Sequence, residues 1–506
     1  MNIICNLYSK LYVLSCKVKY IIYFNIFLNI LLINYLYYRL WNVLNNKLTS
    51  LLNFSIKLNG CVIIKMIQWI NTNLGLFLIN SENSEFLFQL FLQYYENCPI
   101  HDLKYTKTLF LKEFGVDFDT YFELDDTFVI KSGSIAQVYK ACMKNYSANV
   151  AIKVVHPEIE YQLLCPVALV KLYTYLVTNF KCFKKFDIII DLTAFFSNLE
   201  KQISMENEFI NTEYFYNKYK NNNIVVIPKP LMKSKNFLIM EFVDGQQIED
   251  LDISDYKKQI LISFIALFVK DSFINGKYVH CDLHQGNWKI YKECANANAN
   301  ANDNANDNET IYNYKIIIYD FGYVIENKRN DALKKFTYYA DANNVYELGN
   351  LLFHNISNID INNTDKDDFI ARVIKYSNNS YPYSDSMIIS FLTFCYINGY
   401  KLQNNLLDYF ISGILLNKNF KKYLFLNYEE TSYSEVNFKK HICTINMFYI
   451  SICEKYDVFH DVKDYLYDTY IYNSNFTKNI KYTNNHFNTL KTTNCVFSDV
   501  VNSIDI

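Results

Sequence analysis

The spacing of apolar residues outlines the chain before any single residue does. From Tyr20 to Tyr38 it reads YIIYFNIFLNILLINYLYY, long enough as a helix to cross a bilayer. Asn25, Asn29 and Asn34 interrupt the run with amides that are costly in hydrocarbon, so the helix either spans a membrane or lies buried or interfacial. Residues 80–125 carry polar–apolar helical spacing, 128–155 switch to a strand-rich pattern, and 160–220 return to helices. IVVIPKP (224–230) and NFLIMEFV (236–243) read as two strands around a turn. A long helix from Ser254 to Asn275 ends at Gly276. Residues 295–308, ANANANANDNANDN, can fill no core and predict a solvated insertion. Most of 330–430 is helical in pattern, and the Asn- and Tyr-rich end of the chain has weak periodicity.

Composition sharpens this outline only in places. The 506 residues are 51% hydrophobic with a net charge of −2, which marks a globular chain and gives no basic footprint for nucleic acid. Thirteen cysteines without a CxxC pair exclude a zinc ribbon or thioredoxin motif and read as reduced thiols. Acid is missing up to Glu82, while Lys10, Lys17, Lys19, Arg39, Lys47, Lys57 and Lys65 precede it. A basic, acid-free N-terminus fits an organelle-targeting segment, although this one is poor in Arg and Ser.

Four separated motifs carry chemistry. FVIKSGSIAQVYKA (128–141) sits where a kinase-type phosphate loop, G-x-G-x-x-G-x-V, would lie; its three glycine positions become Lys131, Gly133 and Ala136. Small residues there let backbone N–H groups approach phosphates, which makes Ser132, Gly133, Ser134 and Ala136 candidate nucleotide contacts. Val150-Ala151-Ile152-Lys153 follows at a hairpin's distance and matches the strand whose lysine reaches the α- and β-phosphates. In His280-Cys281-Asp282-Leu283-His284-Gln285-Gly286-Asn287, Asp282 and Asn287 keep the offset of a kinase catalytic loop, where the Asp orients the attacking group and the Asn holds metal. A competing reading takes His280, Asp282 and His284 as metal ligands at alternate positions. IIIYDFGYV (316–324) ends a buried strand in Asp320-Phe321-Gly322, a carboxylate placed for Mg²⁺. Each sign is weak alone; their order and spacing together specify a kinase-like nucleotide site. No A-P-E follows Gly322, so an ordinary platform for peptide substrates is not evident.

The wording of these motifs resembles the UbiB-like, aarF-domain atypical kinases associated with ubiquinone biosynthesis. SGSIAQVYKA is similar to that family's alanine-rich loop, VAIKVVHPEIE to its V-A-V-K-V-Q-x-P-G strand and turn, and HCDLHQGN to its H-x-D-x-H-P-G-N loop. LIMEFVDG (238–245) resembles its hinge, which implies adenine contacts at Glu241 and Val243. The resemblance runs from about Gly60 to Tyr423, with the mitochondrial branch nearest. The family's K-x-G-Q motif appears as Lys65-Met66-Ile67-Gln68, with Ile in place of Gly. In its acidic helix Glu206 and Glu208 match the first pair, while the expected later Glu falls on Thr212, beside Glu213. That leaves either a shifted or a lost partner for Lys153.

By resemblance, the fold is a two-lobed α+β protein-kinase-like domain with an N-terminal helical extension. The expected division is a targeting or membrane-associated segment over 1–40 and an extension over 41–125. An N-lobe over 126–243, a C-lobe over 244–430 and a C-terminal extension over 431–506 follow. The resemblance further implies ATP and Mg²⁺ as cofactors, with Lys153 and Asp282 catalytic and Asn287 and Asp320 on metal. Lys65, Gln68, Glu206 and Glu208 would be regulatory: Lys65 is expected to approach Glu206 or Glu208, with Gln68 toward the phosphate side, blocking peptide access. Ile67 would hold this helix off the loop or fill a space the family leaves open. Expected partners are a lipid or ubiquinone precursor, ubiquinone-biosynthesis enzymes and the mitochondrial inner membrane.

Overall fold

The computed structural model describes residues 2–67, 100–144, 148–180, 192–293, 314–327, 344–356, 365–377 and 435–479, with single positions between 335 and 400. Gln68 and the 295–308 tract lie outside the described residues, as does most of the stretch expected to be helical between 378 and 430.

The chain starts with helix α1 (Asn2–Trp41), which folds back through α2 (Asn46–Asn59) into a further helical stretch over 61–67. Phe24, Phe27, Leu52, Ile56, Ile63, Ile64 and Ile67 form the apolar centre of this extension. The amides within α1 are satisfied locally: Asn25, Asn29 and Asn34 each donate to the carbonyl four residues back, and Asn34 also reaches Leu48 O. Gly60 makes the turn possible. It sits at φ +80, and a Cβ there would lie 2.7 Å from the side-chain oxygen of Gln162, which accepts the Val62 N–H.

Next come α3 (Leu103–Phe114), α4 (Phe118–Tyr121) and an antiparallel sheet. Its strands β1 (Phe122–Ser132), β2 (Ala136–Met143) and β3 (Ala148–Val155) are consecutive hairpins. Helices α5 (Ile159–Gln162), α6 (Leu164–Asn179), α7 (Leu192–Ile203) and α8 (Met205–Tyr219) follow, α8 capped by the Ser204 hydroxyl. The 224–243 region gives three strands in place of the expected two. The two-residue β4 (Val225–Val226) leaves to pair in parallel with a C-lobe strand; β5 (Pro230–Lys233) and β6 (Phe237–Glu241) complete the sheet in the order β1-β2-β3-β6-β5. Two layers of apolar side chains enclose this sheet. Phe110, Phe118, Phe122, Tyr139, Ile152 and Phe237 pack on one face; Ala136, Ala151, Leu163, Leu199, Met205 and Leu238 pack toward the helices on the other.

The second lobe is built around α9 (Asp255–Asn275), capped by Ser254 and buried on every face from Ile260 to Val269. A helix apolar all round belongs inside a lobe. Around it lie β7 (Tyr278–His280), β8 (Trp288–Lys292), β9 (Tyr314–Ile318) and β10 (Val324–Glu326), then α10 (Val345–Phe353) and α11 (Lys366–Ser377). The described part of the expected C-terminal extension is helical. Helices α12 (Glu435–Tyr456) and α13 (His460–Asn479) form a hairpin whose Ile450, Cys453, Val462 and Leu466 enter the same core as α9. They are a wall of the C-lobe.

Candidate nucleotide site

Strand pairing delivers the first functional group. Lys153 lies on β3 between Val138 of β2 and Leu238 of β6, and its amine enters the cleft only 9% exposed. Its Nζ lies 2.8 Å from Glu208 Oε1 on α8 and 3.1 Å from Asp320 Oδ1. Burial alone would lower the Lys153 amine; Asp320 and Glu208 outweigh it and raise it. The partner left open by the Thr212 mismatch is thus Glu208. Thr212 folds its hydroxyl onto Glu208 O, while Glu206 and Glu213 are exposed. Burial pushes the Glu208 carboxyl up to about 7 against the pull of Lys153, and its Oε2 is buried without a hydrogen-bond partner.

Asp320 follows β9 with φ +56, a left-handed conformation that Asp tolerates better than most residues. Lys153 and the Gly322 N–H share its Oδ1. Burial would raise its carboxyl, but Lys153, then Lys131 and Lys65, hold it well below the usual carboxylate range. Phe321 turns into the core, stacked 4.6 Å from Phe215 of α8 and edge-on to His280 at 5.1 Å. Asn211 donates to its carbonyl. The helix carrying Glu208 and the turn carrying Asp320 are thereby packed as one unit.

The catalytic loop is held from inside. His280 Nε2 contacts Tyr319 O, an acceptor only, so that nitrogen carries the proton and Nδ1 accepts the Asp282 N–H. With both ring nitrogens spent, His280 is no metal ligand, and the alternate-position metal reading is corrected. Among the described residues no three His, Cys, Asp or Glu side chains gather as a metal site. Asn287 is 2% exposed and donates its amide to Asp282 O. Its amide oxygen and Asp320 Oδ2 are the hard oxygen donors Mg²⁺ takes, few enough to need phosphate oxygens and water beside them.

The phosphate-loop candidates form a tight turn. Ser132 ends β1, Gly133 N–H donates to Ala136 O at 2.9 Å, and Ser134 stands at the bend. The position aligned with a lost glycine, Lys131, reaches across the cleft and donates to Gly286 O at 3.0 Å, a contact that motif spacing does not reveal. At the hinge, Glu241 N–H is bound by Lys229 O, and Val243 O accepts the Tyr319 hydroxyl. Tyr319, one residue before Asp320, also escapes sequence reading.

Lys65 does not reach Glu206 or Glu208. Its Nζ lies 3.4 Å from Asp282 Oδ2, and Ile67, two residues on, is buried among the N-terminal helices. Burial opposes ionisation of Asp282, and Lys65 followed by His284 nevertheless lowers its carboxyl. Glu158 was likewise unforeseen. It stands where the resembling motif has Gly, keeps a left-handed φ of 61, and accepts hydrogen bonds from Tyr12, Lys19 and Tyr20 of α1.

The geometry is that of a protein-kinase-like nucleotide cleft, and sequence comparison agrees. Residues 93–345, half of the chain, match the ABC1 atypical kinase-like domain, and the chain belongs to that family. It is similar to the probable serine/threonine-protein kinase abkC of Dictyostelium discoideum, 27% identical over 47% of this chain and 34% of that protein. The ABC1 family protein MCP2 of Saccharomyces cerevisiae is 25% identical over 53% of this chain and 46% of its own. The AarF domain-containing protein kinase 1 of Mus musculus is 26% identical over 39% and 38%. The chain thus spans between about a third and a half of the length of these curated relatives.

Proposed function

We propose that this protein binds ATP with Mg²⁺ and hydrolyses it slowly, in support of ubiquinone biosynthesis or lipid homeostasis at the mitochondrial inner membrane. One observation carries the nucleotide reading: Lys153 is fixed between Glu208 and Asp320, the ion-pair arrangement that phosphoryl-transfer sites of this class require. Lys153 would hold the phosphates under the Ser132–Ala136 turn, with Glu241 and Val243 lining the adenine end. Asn287 and Asp320 would hold Mg²⁺, which when bound neutralises charge on the phosphates. Asp282 would orient water or a hydroxyl group.

The test is a thermal-shift series with ATP, with and without Mg²⁺, beside an ATPase assay. At a hundredfold excess over Kd, binding stabilises a folded protein by about 2.7 kcal/mol. That shift should appear for the unmodified chain and shrink in Lys153→Ala and Asp320→Asn. Equal shifts in both variants would remove the assignment.

The Lys65–Asp282 ion pair favours a second reading, a nucleotide-binding scaffold for lipid or partner enzymes with little turnover. Binding without hydrolysis would select it, and a phosphorylated small molecule would instead indicate a phosphotransferase. The cellular assignment rests on the resemblance, on the acid-free start and on two helices, Lys10–Trp41 and Ile159–Asn179, long and apolar enough by composition to enter a membrane. A reporter carrying residues 1–60 tests it: mitochondrial import is expected, and diffuse cytosolic signal would overturn it.

A further inference from the structure

Behind the phosphate-loop turn lies a buried polar chain that none of the nucleotide motifs accounts for. His156, just past β3, is 4% exposed, and its Nε2 lies 2.9 Å from Gly133 O. Its own N–H donates to Ile135 O at 3.0 Å. His156 Nδ1 faces His101 Nδ1 at 2.9 Å, and His101 Nε2 contacts the Thr106 hydroxyl, which in turn meets Tyr139 OH at 2.8 Å. Gln137 fixes the near end: its side-chain oxygen accepts the His101 N–H while its amide faces His101 O.

The proton positions follow from one fact. Gly133 O can only accept, so His156 Nε2 carries a proton and, in the neutral ring, Nδ1 is bare. His101 must then donate from Nδ1 and accept at Nε2 from Thr106, which accepts from Tyr139. Hydrogen bonds therefore run in one direction, from Tyr139 through Thr106, His101 and His156 to Gly133 O, with no alternative arrangement for two neutral rings. Burial depresses both imidazoles, His101 to about 4 with His156 adding to the fall, so the rings stay neutral near neutral pH.

We propose that His156, set in its tautomer by His101, is a positioning residue that holds the carbonyls of the phosphate-loop turn on the interior side of the N-lobe. Gly133 O and Ile135 O are tied to His156 and Ala136 O to the Gly133 N–H, so three carbonyl dipoles that would repel phosphate oxygens are engaged within the lobe. The proposal rests on the nucleotide reading for its purpose; the ordering of the turn is measurable without nucleotide.

Amide hydrogen exchange of the full chain, free of nucleotide, tests this with three variants. In His156→Leu, exchange across residues 131–137 should quicken about tenfold, the loss of one net hydrogen bond, while α9 is unchanged. His156→Gln, which keeps an amide donor for Gly133 O, should stay near the unmodified rate, and His101→Phe should fall between. MgATP affinity should follow the same order. Should the Leu variant fail to fold, the Gln and Phe variants decide alone. Unchanged exchange in the Leu and Phe variants, or a Gln variant as fast as Leu, would overturn the proposal. A turn that loosens as described in a protein that never binds MgATP would support the positioning role and overturn the nucleotide reading instead.

Discussion

Lys65 and Asp282 are 217 residues apart in sequence, and their charged atoms stand 3.4 Å apart where the N-terminal extension meets the catalytic loop. Both side chains are about one-fifth exposed. The amine therefore occupies the neighbourhood in which Asp282 would meet an attacking hydroxyl, and it draws on the carboxylate that would accept the proton. Glu208, by contrast, is taken by Lys153. The extension thus touches the site through the catalytic loop, and the acidic helix contacts Lys153 instead.

Lys65→Met should raise ATP turnover. A part-exposed pair is worth at most about 1 kcal/mol, so freeing Asp282 corresponds to roughly a fivefold rise. Steady-state hydrolysis by the two proteins provides the comparison. A turnover equal to or below that of the unmodified chain would rule out an inhibitory role for Lys65.

Two buried groups give opposite pH slopes. Glu208 has its carboxyl raised from the ordinary 4.5 to about 7, so the folded state holds the extra proton in that window. Its contribution is present below about 4.5 and is lost as pH rises toward 7. His101 falls from 6.5 to about 4; its contribution is present above 6.5 and lost as pH drops toward 4. The two offset each other in the unmodified chain. Glu208→Gln should leave the His101 slope exposed, so that Tm climbs by a few degrees more between about pH 5 and about pH 7 than in the parent. Parallel Tm profiles would mean that Glu208 keeps its charge on folding.

Glycine matters at position 60 and much less at 133. Gly60→Ala forces a side chain into φ +80 and against the Gln162 amide, and should cost about 2 kcal/mol or more. At Gly133 a Cβ would meet only Ala136 O, at 3.5 Å, an ordinary contact. Gly133→Ala should leave Tm within about one degree of the parent and register only in nucleotide affinity. Denaturant unfolding of both variants distinguishes the positions; equal losses would contradict the geometry.

Replacing Glu158 by Gly relieves a left-handed residue of about 1–2 kcal/mol and removes the acceptor shared by Tyr12, Lys19 and Tyr20. Global stability should change little, while amide exchange over residues 10–22 of α1 should accelerate about tenfold. Unchanged protection there would show that apolar packing alone holds α1.

The sequence was most informative where chemistry constrains spacing. The contact of Lys153 with Asp320 and that of Asn287 with the Asp282 carbonyl join residues that the motif offsets along strand and loop had singled out. The α9 helix was legible because its cap and its apolar length are local. Contacts between distant side chains were not: nothing local to Lys65 selects Asp282, 217 residues away, over Glu208. Lys131 read as a missing glycine because its reach to Gly286 exists only once the two lobes face each other. The α12–α13 hairpin was obscured by its Asn and Tyr content, which hides the apolar stripe that packs on α9.

The Glu158 anchor also sets an order of events during synthesis. Tyr12 emerges from the ribosome 146 residues before the carboxylate that receives it. At 5–20 residues per second, that interval is roughly 7–30 s. Throughout it Tyr12, Lys19 and Tyr20 of the 40-residue helix lack the carboxylate that receives them, while Leu11, Leu14, Ile21, Ile22, Leu32 and Leu36 stay exposed even after it arrives. The tie between α1 and the turn after β3 can therefore close only after strands β1, β2 and β3 have all left the ribosome.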